Sequence, residues 1–256
     1  MKRLSLMVLL SGVVIYSAYA IPGIDGEISA GFVKQDIDGW INYQGTDADV
    51  DKDLNIDSEN SFFIRAKLEH PIPLLPNLKL SYTRMRFSGD GTVSDTFRFG
   101  NITVNYNERV QTKLDLDHYD IVLFYNLPFV KLLPMIDAEI GINARIIDFY
   151  AWVKRVSTGE EESVSFLVPI PMLHGSLEVS PFSFLSILAE ANGIAYQGNH
   201  YYDILGELRI KPFKTLPVDL FIGVGYKYEK LKLDDIEDTS ADIKIKQPYV
   251  QAGIMF

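Results

Sequence analysis

For acid–base chemistry this chain offers four histidines against a surplus of carboxylates. A histidine beside a carboxylate can move a proton or activate a hydroxyl near neutral pH. His118 stands among Asp115, Asp117 and Asp120, and His200 precedes Asp203 by three residues. His118 with Asp120 and His200 with Asp203 are therefore the candidate catalytic pairs. The plainer alternative makes each a polar residue of a lumen or rim. His70 lies in a proline-bearing segment and His174 follows VPIP.

Metal binding is the second candidate chemistry. In TDADVDKDLNIDSE, Asp47, Asp49 and Asp51 repeat at the spacing of the first oxygen ligands of a calcium loop. The glycine such a loop needs next is Lys52, and its twelfth position is Ser58. The EF-hand match therefore fails, leaving a looser Ca²⁺ or Mg²⁺ site, or a solvated acidic loop. With no cysteine in the chain, thiolate chemistry, sulfur-ligated metals and disulfides are excluded. No cofactor is expected, and a formal net charge of −10 argues against nucleic acid as a partner.

The elements that must position these residues read as strands. Lys2 and Arg3, the apolar run LSLMVLLSGVVIY and Ala18-Tyr19-Ala20 have the layout of a cleaved secretory signal peptide over residues 1–20. The alternative, an N-terminal anchor, would need a longer apolar run. Residues 21–256 then form one domain, since no linker divides them. The nearest approach to a spanning helix, IVLFYNLPFVKLLPMI, is interrupted by Asn126, Pro128, Lys131 and Pro134.

What recurs is alternation with period two. IDAEIGINARI sets Ile136, Ala138, Ile140, Ile142, Ala144 and Ile146 against Asp137, Glu139, Gly141, Asn143 and Arg145. SFFIRAKLE, YYDILGELRI and VDLFIGVGYKYE repeat the pattern, giving a polar face with Arg65, Lys67, Glu69, Asp203, Glu207, Arg209, Asp219, Lys227 and Glu229, to which Asp120 and Glu190 are added. A soluble lipocalin-like barrel would show the reverse, an apolar interior and a charged exterior. Charges in mid-strand among glycines point to a polar lumen.

The connections alternate between two kinds. HPIPLLPN, NLPFVKLLP, SPFS and KPFKTLP are apolar and carry proline; the 45–60, 88–95, 157–163, 197–200 and 233–242 segments are acidic or polar. Short turns on one rim and polar loops on the other predict an all-β fold, a closed antiparallel transmembrane β-barrel. The strands are expected at 24–44, 57–69, 77–88, 108–126, 135–155, 161–179, 183–197, 200–211, 218–233 and 241–256. Eight or twelve strands are the alternatives, because FRFGNITVNY can form an extra hairpin. LVPIPMLHG falls inside the sixth strand, so a kink or bulge is expected at Pro169 and Pro171. The closing QPYVQAGIMF, with Tyr249, Ile254 and Phe256, resembles the signal read by the barrel-assembly machinery.

These segments resemble an uncharacterised family of bacterial outer-membrane β-barrel proteins. The resemblance lies in GWINYQG, EHPIPLLPN, LDLDHYDIVLFY, LVPIPMLHG, GNHYYD, GYKYEKLKLDD and QPYVQAGIMF, and covers nearly all of residues 21–256. It implies location and architecture, without catalytic residues to carry over.

The expected function is structural or that of a narrow channel passing small solutes or cations, with the acidic excess favouring cations. An omptin-like protease or lipid A-modifying enzyme at the outer rim is one alternative, a soluble periplasmic lipocalin-like binder the other. The expected partners are outer-membrane lipid and lipopolysaccharide, whose phosphates Arg84, Arg86, Arg98, Lys154 and Arg155 would meet. A monomer is the default.

Overall fold

The structure, a computed structural model, describes residues 23–128, 135–212 and 218–256. Residues 1–20, expected to be a leader, most of NLPFVKLLP and most of KPFKTLP lie outside the described residues.

The strands in chain order are β1 (Asp25–Tyr43), β2 (Ala48–Asp49), β3 (Glu59–Glu69), β4 (Asn77–Thr83), β5 (Arg86–Thr92), β6 (Phe97–Phe99), β7 (Ile102–Val104), β8 (Arg109–Asn126), β9 (Ile136–Arg155), β10 (Glu161–Phe182), β11 (Leu185–Tyr196), β12 (Asn199–Ile210), β13 (Asp219–Ile236) and β14 (Thr239–Met255). β4 and β5 both pair with β8 and make one stave, interrupted at Arg84 and Met85. FRFGNITVNY forms the separate β6–β7 hairpin. Neighbouring staves are antiparallel and follow chain order, and β14 returns to pair with β1 from Glu27↔Met255 to Tyr43↔Thr239. Gly26 and Phe256 lock this seam with reciprocal backbone hydrogen bonds of 2.8 and 2.9 Å. The fold is thus a closed antiparallel barrel of ten staves.

Closure puts the chain's described ends and the 70–76 turn on one rim, the turn rim; the acidic connections gather on the other, the loop rim. Proline and a histidine shape the 70–76 turn. The Asn77 side chain accepts from the His70 N–H, the His70 Nδ1 accepts from the Ile72 N–H, and Leu74 takes a positive φ of 67°.

The alternation on the long strands changes phase halfway. On β9 the lumen face reads Asp137, Glu139, Asn143, Arg145 and then Ile147, Phe149, Ala151, Val153. The outer face reads Ile140, Ile142, Ala144, Ile146 and then Asp148, Tyr150, Trp152, Lys154. Polar-in, apolar-out becomes apolar-in, polar-out at one height. β8 changes between Leu116 and His118, β13 between Glu229 and Leu231, and β14 between Ile245 and Gln247. The lipocalin-like arrangement, set against the transmembrane one in the sequence, occupies the loop-side half of the same barrel.

That half is filled. Ile41, Val50, Leu54, Phe87, Val93, Phe97, Phe99 and Phe149 belong to one buried cluster, in which Phe149 stacks on Phe166 at 4.6 Å. Burying each Phe or Leu side chain contributes roughly 1.5–3 kcal/mol. Segments 44–58 and 93–108 fold over the mouth to supply much of it. The Arg98 N–H donates to the Thr46 hydroxyl, the Thr112 hydroxyl donates to the Leu54 carbonyl, and the Asp53 carboxylate accepts from the Asp49 and Asp95 N–H groups.

β10 runs unbroken through Pro169 and Pro171, paired with β9 from Glu161↔Lys154 to Val179↔Ile136. Its pairing with β11 begins only at Leu173↔Gly193. The prolines therefore sit where the strand has one neighbour, and a missing donor costs little there. The expected bulge lies elsewhere on β10, between Val179 and Phe182.

Candidate functional site

Below the apolar cap, the lumen is a lattice of charge to which most staves contribute. Arg145 of β9 is 1% exposed. Its Nε donates to Asp120 of β8 at 2.6 Å and its Nη2 to the other Asp120 oxygen at 3.2 Å. Its Nη1 lies 2.9 Å from Asp203 of β12 and 3.8 Å from Glu229 of β13. The guanidinium also stands 4.9 Å from the ring centre of Tyr201, whose hydroxyl donates to Glu229 at 2.5 Å. Lys227 and Gln247 meet the other Glu229 oxygen at 2.5 and 2.9 Å. Amides add to the node, with Asn143 donating to Asp120 and Asn192 to Asp203, while Arg145 Nη1 and Asp203 Oδ2 face each other as an ion pair and make no hydrogen bond among the described residues. Buried charges persist when they are paired and their remaining lone pairs are met.

A second node surrounds Glu139, which Lys67 reaches at 2.6 Å and Lys79 also contacts. Lys79 extends to Glu190 at 3.3 Å. Both ammonium groups lie over the Phe124 ring, at 5.3 and 5.1 Å. His174 links the nodes, donating from Nδ1 to Asn192 at 2.9 Å and accepting from Lys79 at Nε2. The third node is Glu207, which accepts from Arg209 at 2.6 Å, the Tyr249 hydroxyl at 2.5 Å and Gln251 at 2.6 Å. Arg209 continues to Glu27 at 2.9 Å, and Arg65 approaches Glu207 at 3.8 Å. Gly225 makes room for this packing, since a Cβ there would lie 2.4 Å from the Tyr249 hydroxyl.

Arg65, Lys67, Glu69, Asp137, Glu139, Asn143, Arg145, Glu190, Asp203, Glu207, Arg209, Lys227 and Glu229 all point into the barrel, and Asp219 lines the turn-rim vestibule with Glu69. Sequence reasoning missed Glu27, Lys79, His174, Glu178, Asn192, Tyr201 and Gln247, which share these nodes. The signal for Lys79 was present: it alternates with Leu78 and Leu80. The space left within the lattice is about 70 Å³, room for a few waters. Glu27 and Lys67 line both this space and a 440 Å³ vestibule at the turn rim. Toward the loop rim the apolar cluster lies across it.

Neither candidate dyad forms. His200 and Asp203 are an odd number of residues apart on one strand and face opposite ways; Asp203 is buried inside, while His200 stacks on outward Tyr202. His118 is fully buried and its Nε2 is 4.0 Å from Asp120, but that carboxylate is already held by Arg145 and by the Ser81 hydroxyl at 2.9 Å. In a triad the histidine would stand between the serine and the acid. Here the acid stands between.

The acidic loop is likewise not a ligand cage. Asp47 accepts from the Asn42 amide, and Asp49 caps the N–H groups of Asp51 and Lys52. Among the described residues, the acids whose ligand atoms converge are Glu69, Asp137 and Glu139, and Lys67 already bridges two of these. At the loop rim, Arg86 pairs with Asp117, Arg155 with Glu108 and Glu160, and Arg98 with the Gly100 carbonyl. These cations are therefore held by groups within the chain. The hydrogen bond from Arg155, with a second from the Asn105 N–H, holds Glu108 below the usual carboxylate range.

No family model and no curated protein sequence matches the chain. The resemblance drawn from EHPIPLLPN and its companion segments rests on those segments. Among solved structures, the outer membrane protease OmpT of Escherichia coli is 10% identical with a TM-score of 0.45, covering 92% of this chain and 96% of its own. Ail, the attachment invasion locus protein of Yersinia pestis, is 13% identical with a TM-score of 0.38, covering 91% and 99%. A Pseudomonas aeruginosa FadL homologue is 9% identical with a TM-score of 0.36, covering 92% and 90%. At these scores the likenesses carry no argument about activity; the closed ten-stave barrel and the polarity of its two halves are what this chain itself provides.

Proposed function

We propose that the chain is an integral outer-membrane barrel, closed to ions and solutes, with a structural role: a rigid ion-paired lumen under an apolar cap. The observation that supports this reading is the change of polarity at one height on both faces of the wall. A transmembrane strand needs about 9–11 residues, and the polar-in, apolar-out part of β9, residues 136–146, has that length. Outward side chains at this level of the wall are heavily exposed, with Ile142 of β9 at 60%, Leu173 of β10 at 73% and Val224 of β13 at 61%. Such a contiguous belt would not stay in water, which disfavours the soluble binder.

The same change disfavours a through-channel. An ion leaving the charged lattice toward the loop rim would meet Ile147, Phe149 and their neighbours without water or counter-charge. The hydrolase reading lacks a histidine set against an accessible carboxylate or hydroxyl among the described residues. A cleaved leader, insertion by the barrel-assembly machinery and a monomeric state belong to the same proposal.

Planar-bilayer recording on the refolded protein tests closure. Membranes containing it should remain electrically silent, and reproducible cation-selective steps would replace this reading with the narrow channel. Location is tested separately, by heat-modifiable migration of protein taken from the outer-membrane fraction; recovery from the periplasmic fraction would restore the soluble binder.

A further inference from the structure

The barrel wall is not closed to the same height all round. β10 and β11 pair up to Leu173↔Gly193 and no further, although β10 continues to Glu161 and β11 to Tyr196. β11 then turns straight back into β12 through Gln197 and Gly198, whose φ values of 48° and 87° make a tight two-residue hairpin. A seam thus opens between β10 and this hairpin. Its height is set by β9, where Pro171 and Pro169 lie opposite Ala144 and Ile146, the last apolar outward residues before Asp148. The seam is therefore at the loop-side edge of the apolar belt.

Outside the seam is a groove of about 920 Å³. Its floor is made of small or flat residues, Ala144, Pro171, Gly193 and Ala195, and it reaches inward to Met172. Unpaired N–H groups at a strand edge in lipid are costly, and Pro169 and Pro171 have none. At the loop-side end His200 lines the groove, and Lys232 is its in-register neighbour on β13. Lys230 and Lys246 on the same outer face are paired with Asp242 and Asp38, whereas Lys232 makes no ion pair among the described residues. The groove thus ends at His200, with Lys232 one strand beyond it; Asp242, in register with Lys232 on β14, is held by Lys230. An apolar groove with this imidazole and ammonium at its end is complementary to a phosphate carried on a hydrocarbon chain.

We propose that this seam holds one acyl chain of a phosphate-bearing membrane lipid, with the chain against Met172 and the phosphate at Lys232 and His200. The proposal rests on the transmembrane reading above. It is tested on protein refolded in uncharged maltoside micelles, with folding checked by heat-modifiable migration, so that failure to fold as a membrane barrel is seen separately. Dioleoyl phosphatidic acid is titrated in and retained lipid is counted by native mass spectrometry, with monooleoylglycerol as the uncharged probe.

The expected result is one retained phosphatidic acid. Ala195→Trp, which fills the groove from its lipid-facing floor, should lower retention of both probes about tenfold. Lys232→Gln with His200→Gln should lower phosphatidic acid retention to a similar degree and leave monooleoylglycerol unchanged. The chain has no cysteine, so Pro171→Cys with Ala195→Cys gives a seam lock that should release lipid when oxidised and regain it when reduced. Absence of a retained lipid, or retention indifferent to both Ala195→Trp and the lock, overturns the proposal; equal loss of both probes in the Lys232/His200 variant overturns its phosphate half.

Discussion

A guanidinium buried against carboxylates from three strands is tolerable only while every partner is met, and Arg145 meets Asp120, Asp203 and Glu229 at once. Removing one member of such a set leaves uncompensated charge, which typically costs about 3–5 kcal/mol. Arg145→Met should lower stability by that amount, measured as the urea midpoint of folding in lipid vesicles. Arg145→Lys should recover little, because an ammonium cannot fork between Asp120 and Asp203 as the planar guanidinium does. A midpoint unchanged in Arg145→Met would mean that the node is not load-sharing. Arg145 was legible in the sequence through the strict alternation of IDAEIGINARI. The failure of the His200–Asp203 pair was legible too, since an odd separation on a strand sends two side chains to opposite faces. The fate of His118 was not: only the pairing of β8 with β9 brings Arg145 to Asp120 and occupies the acid.

Strand boundaries are legible where apolar residues recur at every second position, and the ten expected segments lie within a few residues of the observed staves. The phase of that recurrence carries the further information. On β9 it slips at the adjacent pair Ile146-Ile147, and on β14 between Ile245 and Pro248. A reading that stops at Ile146 sees one polar lumen; continued to Arg155, the same strand announces the apolar cap. The HPIPLLPN turn was legible as a turn because three prolines in eight residues remove too many donors for a paired strand. Its anchoring by Tyr125, which donates to the Leu74 carbonyl at 2.8 Å, required the neighbouring stave.

The tall β8–β9 end also carries a pH response. Glu108, depressed by Arg155 and the Asn105 N–H, has a native pKa below the unfolded value of about 4.3. Its contribution is therefore complete above that pH and fades as pH falls through the native value. Wild-type stability should drop between pH 5 and 3 more steeply than that of Glu108→Gln, by urea midpoint. Parallel pH curves would show that the ion pair is decorative.

For the molecule as a whole, the two halves of the wall imply where solvent begins on each side. β9 has 20 residues and β10 has 22, about twice what a crossing needs, whereas β11 and β12 have 12 each. Were the whole of β9 in lipid, Asp148 and Lys154 would face hydrocarbon unpaired, at a cost of a few kcal/mol for each charge near the midplane. Were none of it in lipid, Ile140, Ile142 and Ile146 would face water as one strip of a continuous apolar belt. The intermediate placement satisfies both faces, with the bilayer against residues 136–146 and the cap standing beyond it.

A cysteine-free chain allows this placement to be read residue by residue. Single substitutions Ile142→Cys, Ile146→Cys, Asp148→Cys and Lys154→Cys on the outer face of β9, in protein inserted into vesicles, should divide sharply under a membrane-impermeant maleimide. The first two should remain unlabelled and the last two should react, with the boundary between 146 and 148. Reaction at all four would place β9 in water and remove the transmembrane belt. Silence at all four would bury the cap in lipid and undo the argument that an apolar plug, facing solvent only at its rim, is what closes the lumen.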